Sequence, residues 1–357
     1  MMGQFPEGND LRACYERAAD APIWTGDNIF GKPVIAFCHG MGGDHILVEG
    51  EQDASEPPDR PLTGREDPAG LERTGASPVA GLPADRLEAA PDGLRTAVED
   101  ALSTREDGKF VRGLLEEVAA LRHHAWLVGG AVRDLVAAVP GSAVKDFDLT
   151  GTAGPGCLDA MIRLRRASGV GDYVARLSPQ SNVWFVTPPG PRAERLVEYK
   201  PLSRVGFRLP VWGGSLEEDA STRDLTFNAL YYDCVTGVLA DPCGTGRAHL
   251  RARVMATPLR KKDPVEMAGV VLRCLKFRLR SPQTDISQMV AWIRDELPES
   301  FAGLLSDSEW RRLVATRHYS VLPELNGRAD ALEAELAVAG EFGEKAVRLV
   351  REIRRRA

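Results

Sequence analysis

Apolar residues along this chain recur with two periods, and each change of period marks an element. Val111, Leu114, Leu115, Val118 and Leu121 fall three or four apart, which predicts a helix ending just before residue 126. The run Trp126, Leu127, Val128 predicts a strand, and Gly129 and Gly130 a tight turn. Val132, Leu135, Val136 and Val139 then predict a second helix, which Pro140 and Gly141 stop. Residues 144–149 predict another strand, in which alternation aims Asp146 and Asp148 at one face and Phe147 at the core. Residues 157–167 have the spacing of an amphipathic helix with Arg163, Arg165 and Arg166 exposed. Strands are predicted over 173–177, 183–187 and 195–199, and a hairpin over 232–250. Helical spacing returns at 286–297, 310–314, 329–339 and 344–356. Near the N-terminus, residues 32–49 hold two short apolar runs around a Gly-rich turn, the pattern of a hairpin.

The stretch between that hairpin and the first long helix is crowded with Pro, Gly, Ala, Ser and mixed charge. It has too few aromatic or β-branched residues to offset its ordering entropy, so it is expected to be a disordered linker, with a transient helix over 94–102. The expected organisation is an N-terminal segment 1–50, a disordered linker 51–108, an α+β domain 109–255 built on a mixed β-sheet with flanking helices, and an all-α region 256–357. At 357 residues and 43% apolar the chain is long enough for two or three units.

The net charge of −6 excludes a protein that coats nucleic acid with its whole surface, so RNA contact would fall to local basic patches such as Arg351, Arg354, Arg355 and Arg356. The six cysteines are scattered with no C-x-x-C pair, which fits a reducing compartment and indicates no zinc site. There is no apolar run of membrane-spanning length and no signal-peptide pattern; a cytoplasmic protein with no membrane partner is expected. The piece FCHGMGG, starting at Phe37, has the look of a hydrolase oxyanion loop, but no G-x-S-x-G elbow supplies a nucleophile. His123 and His124 are expected at the helix terminus or on the surface, where a cation is electrostatically favoured.

The chemistry concentrates around residues 126–150. Two carboxylates about 7 Å apart on one strand face are costly without a cation. Mg²⁺ suits them, because it takes oxygen ligands and is usually held by one or two carboxylates plus substrate phosphates. Glycines between a strand and a helix let the backbone approach a ligand, and a helix N-terminus offers N–H groups to a phosphate.

The segment LVGGAVRD, from Leu127 to Asp134, followed by the D-F-D strand at Asp146 and Asp148, resembles the head domain of the class II nucleotidyltransferases. That family comprises the CCA-adding tRNA nucleotidyltransferases and the bacterial-type poly(A) polymerases. The resemblance runs over about residues 111–279 and implies a nucleotidyltransferase head followed by an all-α neck and body. It implies that Asp146 and Asp148 hold two Mg²⁺ ions as metal ligands, with Glu198 as a third catalytic carboxylate and Arg204 following it. Gly129 and Gly130 would seat the triphosphate, with Arg133 assisting and Asp134 holding the turn or a ribose hydroxyl. Arg223 would fork onto phosphate oxygens, while Asp224 and Asn228 would accept from and donate to ribose hydroxyls. Asp224 could also cap a core helix through Phe227 and Leu230. Asp241 and His249 are expected to be framework. The implied substrates are nucleoside triphosphates, ATP and CTP; the implied partner is an RNA 3′ end, tRNA first.

The chain departs from the family pattern in places. Thr222 replaces the first arginine of an Arg-Arg-Asp, and Lys262 and Glu266 stand where the neck carries an acid and an arginine. Asp263 and Arg273 survive as the candidates for base selection. The expected activity is template-independent addition of nucleotides to RNA 3′ ends. CCA addition comes first, poly(A)-type or single-nucleotide addition is the alternative, and a catalytically silent RNA-binding or assembly subunit is the rival.

Overall fold

The computed structural model describes three strands near the N-terminus (residues 23–27, 33–38 and 45–49) and residues 82–357, apart from 121–122, 139–143, 155–157, 159–160, 163–164, 166–168, 170–171, 179–182, 190–194, 204–213 and 260–262. Pro140, Gly141, Arg163, Arg166, Arg204 and Lys262 therefore lie outside the described residues, as does the expected linker over 51–81. The chain forms two compact units: Met1–Asp219 with Tyr231–Pro242, and Ala220–Leu230 with Cys243–Ala357.

In the first unit, β1 (Ile23–Asp27), β2 (Pro33–Cys38) and β3 (His45–Glu49) pair antiparallel in that order, so the hairpin predicted over 32–49 is present with one strand added. The larger sheet has eight strands. They are β4 (Leu87–Ala89), β5 (Ala125–Val128), β6 (Asp148–Gly151), β7 (Val174–Ser178), β8 (Val183–Thr187), β9 (Val197–Pro201), β10 (Tyr231–Asp233) and β11 (Val238–Ala240), in spatial order β4-β11-β10-β5-β6-β9-β8-β7. Only β6 and β9 run parallel; the other neighbours are antiparallel.

Register decides which face each residue takes, because directly paired residues share a face. One row across the sheet reads Tyr232, Leu127, Leu149, Tyr199, Trp184, and all five are buried. The adjacent row, on the other face, reads Tyr231, Val128, Asp148, Glu198, Phe185. The sheet thus has an apolar face and a face that carries carboxylates.

Among the described residues, helices α1 (Asp92–Thr104), α2 (Glu106–Ala120) and α3 (Gly130–Val136) pack in this unit; α2 and α3 touch β5, and α1 packs on both. The expected linker therefore ends well before residue 108. Leu94, Val98, Ala101 and Leu102 form a buried stripe on α1, and Leu82 and Ala90 are buried before it. That stripe cannot hold a helix alone, but α2 supplies its partner. Gly108 permits the close crossing, since a side chain there would run into the Ala101 carbonyl.

Arg165, expected on an exposed helix face, is instead mostly buried: its guanidinium lies 4.9 Å over the Phe110 ring and Nε donates to Glu117 Oε1 at 2.8 Å. Burial raises the Glu117 carboxyl above its usual range, and the arginine opposes that rise.

His123 lies at the end of α2 as expected, its amide bonded to the Val118 carbonyl at 3.0 Å, but it is not a cation. Burial, and secondarily His124, hold its pKa down at about 4, so it is neutral, with Nδ1 3.1 Å from the Thr152 hydroxyl. Desolvation outweighs the attraction of the helix terminus. Because the folded pKa lies below the ordinary 6.5, His123 stabilises fully above pH 6.5 and loses that contribution as pH falls towards 4. The loss is at most about 3 kcal/mol. Urea unfolding of the wild type and His123→Gln across pH 4–7 should therefore show a steeper acid loss in the wild type; parallel curves would remove His123 from the account.

The second unit is helical: α5 (Gly246–Ala252), α6 (Pro264–Arg280), α7 (Ser287–Glu296), α8 (Asp307–Ser320), α9 (Ala331–Glu341) and α10 (Glu344–Arg356). Asp263 caps α6, with Oδ1 accepting from the Val265 and Glu266 amides at 3.0 and 3.3 Å, and Pro264 takes the first helical position. Leu225 and Phe227 join the core around α6, and Phe227 meets Phe277 edge-on at 5.5 Å. This is why residues 220–230 belong with the helices, and the division falls after Pro242 rather than at the expected 255. The terminal arginines of α10 are partly engaged: Arg355 and Arg356 pair with Glu352, and Arg356 lies 4.4 Å over the Trp310 ring. Among the described residues no helix is long and apolar enough to cross a membrane.

Candidate active site

Strand β6 begins at Asp148, so the strand predicted over 144–149 starts four residues late and Asp146 sits in the irregular lead-in. The alternation expected there survives in burial. Asp146 is 64% exposed, Phe147 is buried beneath the Arg105 guanidinium at 5.3 Å, and Asp148 is half-buried. Lys145 Nζ lies 3.4 Å from Asp146 Oδ2. The parallel pairing puts Asp148 directly beside Glu198, and the Glu198 amide donates to the Phe147 carbonyl at 3.2 Å. Glu198 forms an ion pair with Arg195, whose guanidinium stacks 4.6 Å over Phe185, the residue facing Glu198 on β8.

Gly129 follows β5 and opens α3 with φ 76 and ψ −139, a conformation that costs a side-chain-bearing residue heavily. A Cβ there would also lie 3.0 Å from Asp148 Oδ2. The glycine turn and the first carboxylate are thus one piece of structure. Gly129→Ala should lower the unfolding free energy of this unit by about 1–3 kcal/mol and displace Asp148. Urea denaturation checks the first effect and ligand affinity the second. Next along α3, Arg133 pairs with its neighbour Asp134, Nε to Oδ1 at 2.8 Å.

Among the described residues no group of three or more His, Cys, Asp and Glu side chains is gathered to hold a metal by protein ligands alone. Mg²⁺ does not need one, since it keeps waters and takes substrate phosphates. The half-buried Asp148 with Glu198 beside it and Asp146 before it is a hard oxygen donor set that fits such an ion, and the Gly129 cradle leaves room at Asp148 Oδ2.

The second unit brings three further candidates together. Asp224 Oδ1 accepts from the Asn228 amide at 2.9 Å and from the Leu225 backbone at 2.8 Å, while Oδ2 lies 3.4 Å from Arg273 Nε. Residues Thr226–Asn228 form a single 3-10 turn rather than the core helix considered for Asp224 to cap. His249 Nδ1 meets the Thr226 hydroxyl at 2.8 Å and ties α5 to that turn. Asp241, in the first unit, is buried, with its amide bonded to the Arg86 carbonyl at 2.9 Å. The backbone of Arg223 is bonded to Ala220 at 3.1 Å.

The family model described as the poly A polymerase head domain matches residues 125–256. Over these residues the chain is similar to the head domain of the class II nucleotidyltransferases. Poly(A) polymerase I of Escherichia coli is 29% identical over 197 residues, which are 52% of this chain and 41% of the relative. The Salmonella typhi protein of the same name matches equally, at 29% over 197 residues. The chain spans about two fifths of the length of these curated relatives. Among solved structures, a Bacillus stearothermophilus CCA-adding enzyme in complex with CTP covers 67% of this chain and 53% of its own, at 20% identity and TM-score 0.49. A Thermotoga maritima CCA-adding enzyme complexed with tRNA covers 72% and 54%, at 18% and 0.39. The head domain accounts for β5 through the start of the helical unit. It does not include β4, α1 or α2, which precede residue 125.

Sequence reasoning missed Lys200, Asp219 and Arg195, which lie among or beside the site-face residues. The alternation of Glu198 and Lys200 on one strand was a visible signal for the first. The other two follow only from tertiary contacts.

Proposed function

We propose that this chain is a template-independent RNA 3′-end nucleotidyltransferase using nucleoside triphosphates. The observation that carries the reading is the pairing of Asp148 with Glu198 on one sheet face, against the glycine turn at Gly129, within a matched head domain. Mg²⁺, when bound, would lower the pKa of the RNA 3′-hydroxyl and neutralise the leaving pyrophosphate. Asp146, Asp148 and Glu198 are the residues that would hold it. Gly129 and Gly130 present backbone to the triphosphate, and Arg133 adds charge. Asp134 pairs with the Arg133 guanidinium. Glu198 is held in an ion pair by Arg195, a guanidinium that would be available to phosphate oxygens if Glu198 turned to an ion. Catalysis is then positioning and charge neutralisation.

In the helical unit, Asp224 and Asn228 would recognise ribose hydroxyls, and Arg273, anchored at Asp224 and half-exposed, would offer donors to a base edge. CCA addition is the finer reading that this anchored donor supports. The second reading is poly(A)-type addition, favoured by the names of the curated relatives. Labelled ATP and CTP offered separately and together to tRNA transcripts ending before CCA, after C and after CC, and to an unrelated RNA, separates the two. Ordered C, C, A addition confined to tRNA supports the first; A-runs on any RNA support the second. RNA binding without incorporation would favour the silent subunit.

A further inference from the structure

The face that carries Asp148 and Glu198 also carries a buried charge pair that the reaction as described does not use. Lys200 lies two residues beyond Glu198 on β9, hence on the same face, and is paired in register with Thr150, which lies two beyond Asp148 on β6. Its Nζ is 2.8 Å from Asp219 Oδ1, and the Tyr231 hydroxyl donates to Asp219 Oδ2 at 2.8 Å. Asp219 sits in the short helix α4 (Leu216–Ser221) with its side chain 1% exposed, whereas the Lys200 side chain remains 26% exposed. The backbone beneath is fixed as well, since the Thr150 hydroxyl donates to the Lys200 carbonyl at 2.7 Å.

A buried ion pair rarely stabilises more than apolar side chains of equal volume would, so stability is a weak reason for its presence. An ammonium has three donors in a tripod. Asp219 Oδ1, 2.8 Å away, holds the ammonium from one side, and the Lys200 side chain, 26% exposed, stands on the face that carries the carboxylates.

We infer that Lys200 binds the triphosphate, and after transfer the pyrophosphate, with Asp219 and Tyr231 as positioning residues that aim it. The inference rests on the proposed nucleotidyl transfer and deepens it. A phosphate chain bound beside Asp148 and Glu198 would lie near Lys200, because two residues of strand span only about 7 Å. Aspartate and tyrosine fix the ammonium before the ligand arrives, which lowers the ordering cost of the contact.

The test uses the full chain and inorganic pyrophosphate with Mg²⁺, read by titration calorimetry, alongside the KM and kcat for ATP. Lys200→Gln leaves Asp219 buried and uncompensated, so the main variant is the double Lys200→Gln with Asp219→Asn, which removes both charges and keeps the shape. It should bind pyrophosphate roughly tenfold to a hundredfold more weakly and raise KM for ATP by a similar factor. Lys200→Arg should recover part of the binding. In the wild type, acylation of Lys200 followed by peptide mass should be slowed severalfold by Mg²⁺ with pyrophosphate, a readout that needs no variant to fold. Unchanged pyrophosphate affinity in a folded double variant, or acylation indifferent to pyrophosphate, overturns the role of Lys200 while leaving nucleotidyl transfer standing. A wild type that neither binds Mg²⁺ with pyrophosphate nor incorporates nucleotide overturns both.

Discussion

Asp148→Asn is expected to reduce nucleotide incorporation by at least about 10³-fold while leaving the chain folded. The substitution preserves shape and a hydrogen-bonding oxygen but removes the charge that would hold a divalent cation. Asp148 is the carboxylate with the most constrained place: half-buried, beside Glu198 in register, and pressed against a turn that admits no side chain at Gly129. Neutralising one member of a carboxylate group also relieves repulsion, so urea unfolding should show stability unchanged or slightly higher. Asp146→Asn should be nearly as damaging, although Asp146 is exposed, with Lys145 Nζ 3.4 Å from its carboxylate. Full incorporation by folded Asp148→Asn would mean that the metal site is assigned to the wrong residues.

The largest loss of stability is expected in the helical unit, at Arg317→Met. Arg317 Nε and Nη2 donate to Glu335 Oε1 and Oε2 at 2.6 and 2.7 Å, a two-pronged bond between α8 and α9 with side-chain exposures of 8% and 0%. Removing the guanidinium leaves the Glu335 carboxylate buried without its cation, which costs about 3–5 kcal/mol. Replacing both, Arg317→Met with Glu335→Leu, should recover most of that loss, because apolar side chains of similar volume suit the same space. Denaturant unfolding of the wild type, the single and the double variant measures this directly. A single variant as stable as the double would show that solvent reaches Glu335.

The local parts of the candidate site were legible in the sequence because local spacing dictates them. A strand, a glycine turn and a helix follow one another within residues 125–136, and the period change around Gly129 and Gly130 marks them. The helix over Glu344–Arg356 is equally plain, with Ala346, Leu349, Val350 and Ile353 spaced for one buried face. What the sequence hid depends on partners far away in the chain. The place of Glu198 beside Asp148 comes from a parallel pairing across fifty residues, which no turn residue signals. Helix α1 was legible only as a transient helix over 94–102 within a linker, since Leu94, Val98 and Leu102 become a core stripe only once α2 covers them. Residues 220–230 look continuous with the strands that flank them, yet Leu225 and Phe227 are claimed by the core around α6. Asp263 shows the converse. The resemblance offered it for base selection, and in the structure its Oδ1 accepts from the first amides of α6 as a helix cap.

The most direct test of the central claim is incorporation of radiolabelled ATP and CTP at the 3′ end of tRNA by the purified wild-type chain, with Mg²⁺ and with excess chelator. The account predicts 3′ extension that requires Mg²⁺ and disappears in Asp148→Asn. No extension of any RNA by folded protein that binds the RNA, under metal and nucleotide saturation, would contradict it.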